Sequence, residues 1–318
     1  MTENSQRYLV TGGCGFIGSH LVEALVLEGH RVRVLDNLSS GSLLNLCHIR
    51  GPVEIVIGDI RDAEQVQAVM DGMQGVFHEA ALVSVPESIE RPAENYAINV
   101  MGTLNVLEAA RRAGVRRVVL ASSAAVYGAQ PTWPQRETME AAPISPYAVA
   151  KLANEWMGRV HALLYGIEVV ALRYFNVYGP RQNPSSMYSG VLSRFVDALR
   201  CGRPPVIFGD GLQTRDFVYV ADVVAASQAA MRSERVGRGQ VINVGTGRAT
   251  SVQEALQRLQ ELSGVMMPPQ YEPPRAGDVR HSVADISRAR EWLGYEPRWS
   301  LEDGLRELWN RTNMESKR

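Results

Sequence analysis

The stretch Tyr8-Leu9-Val10 runs directly into Thr11-Gly12-Gly13-Cys14-Gly15-Phe16-Ile17-Gly18, and a helical pattern follows to about Glu28. A buried strand, a glycine-rich turn and a helix in immediate succession narrow the possible folds sharply. Glycines allow a tight turn and close backbone approach, and the helix N-terminus beyond them favours an anion such as a pyrophosphate. The spacing of Gly12, Gly15 and Gly18 is G-x-x-G-x-x-G rather than the more familiar G-x-G-x-x-G. A purely structural strand–helix turn is the competing reading of this segment taken alone.

Further strands are expected at Arg31–Leu35, Val53–Ile57, Gly75–His78 and Arg117–Ala121, with a long amphipathic helix over roughly Ala97–Ala113. Apolar strands alternating with helices predict a parallel, doubly wound α/β sheet. Asp36 closes the second strand, 24 residues after Gly12. A carboxylate there can accept from both hydroxyls of a ribose and repels a 2′-phosphate, which favours NAD over NADP. Arg31 and Arg33 read as strand-face charges. Asp59 and Ile60, after the third strand, can cap an adenine, or Asp59 is an ordinary loop acid.

Past the fifth strand the turn signals multiply: Gly179-Pro180, Asn183-Pro184, Pro204-Pro205, Pro268-Pro269 and Pro273-Pro274. Helices are expected near Val191–Arg200, Val220–Met231, Ser251–Leu262 and Leu301–Trp309. The expected division is a dinucleotide-binding domain over residues 1–173 and a smaller α/β substrate domain over 174–318. A segment near 214–247, with a strand around Gln240–Val244, is expected to return to the first. The smaller domain would close over the carboxyl edge of the sheet, where ligands of open α/β sheets bind.

At 318 residues, 45% hydrophobic and 21% charged, with a formal net charge of −1, the composition is that of a globular protein. Nothing in it favours nucleic acid, and no apolar run approaches a membrane span. The N-terminus shows no apolar signal core, so a cytoplasmic enzyme is expected. Three scattered cysteines and six histidines lack ligand spacing, and no metal is expected.

Tyr147 and Lys151 stand four residues apart in Pro146-Tyr147-Ala148-Val149-Ala150-Lys151, on one helix face. An ammonium beside a phenol favours the phenolate, which makes a proton-abstracting tyrosine for chemistry at a carbinol. Alone the pair is a common surface pattern. Upstream lies Ala121-Ser122-Ser123-Ala124-Ala125-Val126-Tyr127-Gly128, where the hydroxyl of Ser123 can share a proton with Tyr147.

Taken in order, these three motifs resemble the extended short-chain dehydrogenase/reductase superfamily over nearly the whole chain. Asp36-Asn37-Leu38-Ser39-Ser40-Gly41 and Arg173-Tyr174-Phe175-Asn176-Val177-Tyr178-Gly179 make the UDP-glucose 4-epimerase type the nearest branch. The resemblance implies a Rossmann-type NAD domain and inversion at C4 of a UDP-hexose through a transient 4-keto intermediate. It implies Ser123, Tyr147 and Lys151 as the catalytic set, with Lys151 also on the nicotinamide ribose. It implies a cofactor site of Gly12, Gly15, Phe16, Ile17, Gly18, Asp36, Asn37, Ser40, Gly41, Asp59, Ile60, Ala80, Ala81, Asn99, Ser122, Tyr147, Lys151 and Tyr174, with Asn99 a structural residue behind it.

For the nucleotide sugar, the same resemblance implies Ser84, Ser123, Asn176, Val191 and Gln213. Phe208 would lie on the uracil, Arg215 and Arg275 on the diphosphate, and Asp278 on the ribose. Ser282 stands where a bulky tyrosine restricts some relatives to glucose and galactose. A serine opens space for an N-acetyl group, so UDP-GlcNAc and UDP-GalNAc are expected substrates, with UDP-Glc and UDP-Gal beside them. Val83 departs from relatives with lysine at that point. Ala124 and Ala125 replace the acidic pair of the 4,6-dehydratases, and two alanines cannot move a proton. The resemblance also implies a homodimer joined through the helix from about Ala97 and the one bearing Tyr147. UDP-glucuronate 4-epimerisation, nucleotide-sugar reduction and a non-catalytic NAD-binding regulator are the alternatives.

Overall fold

Seven strands pair in parallel, in the spatial order Arg238–Val244, Glu168–Tyr174, Arg117–Ser123, Gly75–His78, Arg7–Thr11, Arg31–Asp36 and Val53–Ile57. They are β1 (Arg7–Thr11), β2 (Arg31–Asp36), β3 (Val53–Ile57), β4 (Gly75–His78), β5 (Arg117–Ser123), β6 (Glu168–Tyr174) and the returning strand Arg238–Val244. In this computed structural model the described residues are 5–182, 190–274 and 278–315, with side chains to Arg311. Arg275 and the Asn183-Pro184 turn lie outside them.

The central strands are apolar because both faces are covered. Leu9, Val76, Val118 and Leu120 face a layer made by α2 (Ala63–Met70), α5 (Thr103–Arg112) and α6 (Pro146–Tyr165). Val10, Phe77, Val119 and Leu172 face the other layer, made by α1 (Phe16–Leu27) and the helix Val220–Arg232. Strand β3 has one neighbour, and its Ile55 and Ile57 stay exposed. The strand order reverses between β1 and β4, so the helices that follow the two strands lie on opposite faces of the sheet and leave a crevice at the strands' carboxyl ends.

Arg117 is buried at the other end of β5. Its guanidinium meets Glu168 at 2.7 Å and donates to the carbonyls of Ala230, Met231, Ser233 and Val236. These include the unpaired carbonyls at the end of helix Val220–Arg232, so a cation suits the spot.

The long helix expected from Ala97 is interrupted. Helix α4 (Pro92–Tyr96), which follows the short α3 (Val85–Glu90), runs into a π-helical segment, Ala97–Gly102, before α5. The wider turn aims Asn99 inward, where it accepts from Leu82 N at 2.8 Å and donates to Leu82 O at 2.9 Å. Local widening of this kind recurs where a helix must present one side chain to a site.

The remaining chain packs a second core. Helices Val191–Arg200, Val252–Ser263 and Leu301–Glu315 enclose Ile207, Phe217 and Tyr219. Asp216 joins the pieces: its carboxylate accepts from Thr246 N (2.7 Å), Thr246 Oγ1 (2.6 Å), Gly247 N (2.8 Å) and Ala284 N (3.1 Å). The returning strand pairs with β6 from Val169 to Tyr174.

His78 ends β4, bonded to Thr11 Oγ1 at 2.7 Å and Thr103 Oγ1 at 2.9 Å. Burial, aided by the charge of Lys151, lowers its pKa to about 3. A histidine held neutral in the fold contributes stability above its unfolded pKa of about 6.5, and that stability is lost as pH falls toward the folded value. Urea unfolding at pH 7 and pH 5 is therefore expected to show a clear loss at pH 5. His78→Gln should flatten that dependence while lowering stability at pH 7.

Candidate functional site

The glycine turn follows from two contacts. Gly12 has φ +69°, and a Cβ there would stand 2.7 Å from Ala80 N, so the first turn lies against the chain leaving β4. Gly18 abuts the carbonyl of Gly12, which lets α1 begin directly on the turn. The N-cap of α1 is Gly15, which makes no side-chain cap bond. Its first N–H groups face the crevice at the positive end of the helix. A dinucleotide's pyrophosphate fits this cradle, where any larger residue at Gly12 would intrude.

Asp36 is buried beside the turn. Its Oδ2 accepts from Cys14 N at 2.9 Å and its Oδ1 from Leu38 N at 2.8 Å. Each oxygen keeps lone-pair capacity for a further donor. Gly41 packs against Cys14, and Ser40 beside it is exposed. Burial and Asp36 push the Cys14 thiol up to about 12, so it is an inert packing group.

Asn37 donates to Asp59 at 2.9 Å, and Arg61 grips Asp59 at 3.0 and 2.7 Å. That pairing holds the Asp59 carboxyl well below its ordinary range. Ile60 is buried against Gly102. Arg33 turns away from Asp36 to Glu54 at 2.7 Å.

On the opposite wall Ser145 caps α6, accepting from Ala148 N at 3.2 Å, with Pro146 in the first turn. Tyr147 N donates to Ser88 Oγ at 3.2 Å, which fixes the helix start to α3. The Nζ of Lys151 donates to Ala121 O at 2.8 Å and lies 5.7 Å from the centre of the Tyr147 ring. Ser123 ends β5 beside Tyr147, its Oγ accepting from Ala125 N at 3.1 Å. The three residues therefore meet at the carboxyl edge of the sheet.

Their electrostatics differ from the expectation drawn from helix spacing. Burial pushes Tyr147 up to about 12, against the pull of Ser123, and the Glu79 carboxylate adds to the rise. Burial likewise brings Lys151 down to about 8, opposed by Glu79. Proximity of Lys151 is present, but desolvation outweighs it.

Ser122, the neighbour of Ser123 on β5, turns away. The Ser122 hydroxyl donates to Glu155 at 2.5 Å, within a buried pair whose Arg173 donates to Glu155 at 2.8 and 2.7 Å. The Tyr174 hydroxyl donates to Glu79 at 2.9 Å and meets Ser227 at 3.0 Å. Asn99 spends its amide on Leu82 and Asn95, shaping the segment Ala80–Ser84 from behind. Ser84 is buried and caps α3, accepting from Glu87 N at 3.0 Å. Val83 is exposed.

A second recess, of about 610 Å³, is lined by Phe208, Gln213, Tyr271, Asp278 and Arg280 among others. Gln213 donates to Phe208 O at 2.7 Å, while its buried Oε1 has no partner among the described residues. An orphaned acceptor beside an aromatic face suits a ring carrying an N–H. Arg215 reaches Asp278 at 3.4 Å from a largely desolvated position. Arg280 and Asp210 pair at 2.8 Å at the rim. Asn176 pairs with Phe217 on a short strand, and Val191 begins the helix above. Ser282 is buried and pairs with Arg215 across parallel strands, its carbonyl accepting from Asp216 N at 2.8 Å.

Glu79 is the residue of this site that sequence reading passed over. The available signal was an acid placed directly after the apolar strand Gly75–His78.

A dinucleotide cradle at the strand-order reversal, with a Tyr–Lys–Ser group on its rim and a separate aromatic recess, defines an NAD-dependent enzyme of the α/β class. The chain belongs to the NAD dependent epimerase/dehydratase family, whose model matches residues 8–245. It is 43% identical over 303 residues to the UDP-glucose 4-epimerase of Mycolicibacterium smegmatis, covering 94% of this chain and 96% of the relative. Among solved structures it resembles the UDP-glucose 4-epimerase of Thermotoga maritima with UDP-glucose, at TM-score 0.92 and 40% identity, covering 97% and 99% of the two chains. It also resembles the UDP-N-acetylglucosamine 4-epimerase of Methanobrevibacter ruminantium in complex with UDP-N-acetylmuramic acid, at TM-score 0.92 and 36% identity, covering 98% and 99%.

Proposed function

We propose that the protein is an isomerase that inverts C4 of a UDP-sugar, using tightly held NAD and passing through a 4-keto sugar. The meeting of Ser123, Tyr147 and Lys151 beside the glycine cradle carries the reading. When bound, NAD supplies a hydride acceptor and a cationic ring. Tyr147 takes the proton of the 4-hydroxyl, and Ser123, close beside it, bridges the transfer. Lys151 orients the ribose and supplies positive charge to the phenolate. Burial of Tyr147 and Lys151 keeps water from the exchanging proton.

The same reading assigns Phe208 and Gln213 to uracil, Arg215 and Arg275 to the diphosphate, and Asp278 to the ribose. A nucleotide anchored in that recess leaves the sugar free to present either face. The carriers of NAD are residues 1–173, and 174–318 mainly hold the sugar nucleotide, with a return near 214–247. Proton NMR of the purified protein with UDP-GlcNAc and then UDP-Glc, without added cofactor, is expected to show the C4-inverted sugar. Tyr147→Phe should retain NAD and lose turnover by at least about 100-fold. Near-normal turnover in that variant, or no inversion of any UDP-hexose by the wild type, would sink the assignment.

We further assign UDP-N-acetylhexosamines to the substrate range, on the small side chain of Ser282 beside Arg215. Ser282→Tyr is expected to lower kcat/KM for UDP-GlcNAc by about 10- to 200-fold while sparing UDP-Glc. Equal loss on both would show that pocket width is set elsewhere.

A homodimer completes the proposal. Trp156, Val160, Leu163 and Leu164 lie exposed along one face of α6, with Tyr96 and Met101 exposed on the neighbouring helical segment. An apolar stripe of this extent suits a self-complementary helix interface. Sedimentation should give a dimer for the wild type and a monomer for Leu163→Glu.

A further inference from the structure

Glu79 directly follows β4, between the glycine turn and the catalytic rim, and is half-buried. Its backbone N–H donates to Thr11 O at 3.1 Å, so its place is fixed by the sheet itself. Its carboxylate is held from the far side, where Tyr174, at the end of β6, donates to Oε1 at 2.9 Å. Ser227, on helix Val220–Arg232, in turn contacts the Tyr174 hydroxyl at 3.0 Å. His78 pairs with Leu120 across β4 and β5, so Glu79, the next residue along, lies abreast of Ala121, whose carbonyl holds Lys151 Nζ at 2.8 Å.

We propose that Glu79 is a positioning residue, the counter-charge of Lys151, which keeps that lysine an ammonium and biases the crevice toward the oxidised, cationic form of the dinucleotide. The inference rests on the NAD-dependent reading above. Its physical basis is simple: an anion fixed in a desolvated crevice favours every cation that shares it. The groups that face Glu79 are Lys151 and Tyr147 on α6 and Tyr174 on β6. The neighbouring His78 is neutral. The same acid opposes the lowering of Lys151 and the ionisation of Tyr147, so it trades a harder phenolate for a firmer ammonium. Burial raises Glu79 itself to about 7, with Tyr174 and Lys151 opposing, so its charge grows as pH passes through neutrality.

Two measurements on the full-length protein test this. Equilibrated with mixtures of NAD and NADH, the wild type is expected to hold a bound NAD-to-NADH ratio that rises through about pH 7. Glu79→Gln should lower that ratio by about tenfold and remove its pH dependence. The alkaline limb of kcat/KM should also move about one pH unit lower as Lys151 loses its counter-charge. Tyr174→Phe keeps the carboxylate but removes its donor, so the ratio should be low near neutrality and recover at higher pH. An unchanged ratio and an unchanged alkaline limb in Glu79→Gln would overturn the proposal. So would equal weakening of both nucleotides with a lowered Tm, since that is what a purely structural role predicts. A wild type that binds neither nucleotide would take down the functional reading as well, and is told apart from failure of the Glu79 proposal alone by that control.

Discussion

The approach of Gly12 to the backbone of Ala80 is the constraint on which the site depends. It draws the end of β1 and the chain leaving β4 together at their exit from the sheet. Cys14, beyond the turn, then falls within reach of Asp36, and α1 starts with its free N–H groups toward the crevice. The catalytic rim is built onto the same edge from the next two strands, since β4 pairs with β5 and β5 with β6. A side chain at residue 12 would push the chain after β4 away, and Glu79 with it. Cradle and catalytic rim are thus two outcomes of one backbone contact.

Many polar groups beneath this edge are paired, although the buried Nη1 of Arg173 and Nδ2 of Asn95 have no hydrogen-bond partner among the described residues. Glu155 takes up Ser122 and Arg173, and Asn99 takes up Leu82 and Asn95. Such pairing stiffens the floor against which Tyr147 and Lys151 are set, because unmade hydrogen bonds in a buried site are costly. Among the strongly shifted groups, Tyr147, Lys151 and Glu79 gather around the catalytic rim. Perturbed acids and bases gathered in a cleft are the ordinary mark of chemistry.

Much of this was readable in the sequence wherever the information is local. The strand–turn–helix at Thr11–Gly18 and the apolar strands predicted the parallel sheet, and the helix over Val191–Arg200 has the bounds its periodicity implies. What the sequence concealed depends on partners distant along the chain. The π-helical segment at Ala97–Gly102 exists because Asn99 must meet Leu82, which no local propensity reveals. Spacing put Lys151 beside Tyr147 correctly, but the depth of burial that reverses the expected shift of the tyrosine is a property of the packed fold. The orientation of Ser122 was within reach, since neighbours on a strand face opposite sides and Ser123 had already been aimed at the crevice. Arg275 lies outside the described residues, and its role rests on sequence resemblance.

The strand Arg238–Val244 lies next to β6, although the chain between them builds one side of the second recess, with Phe208, Asp210 and Gln213. That side is therefore a long excursion tied down at both ends by the sheet, while Tyr271 and Asp278 reach the recess from chain beyond the last strand. During synthesis the first six strands can emerge and pair before their last neighbour exists. The edge of β6 stays open until about residue 244 has left the ribosome. Until then the nascent chain presents an unpaired, apolar strand edge, the feature most prone to capture by another chain. The nascent sheet is thus closed against misassembly before Tyr271, Asp278 and Arg280 arrive to complete the recess.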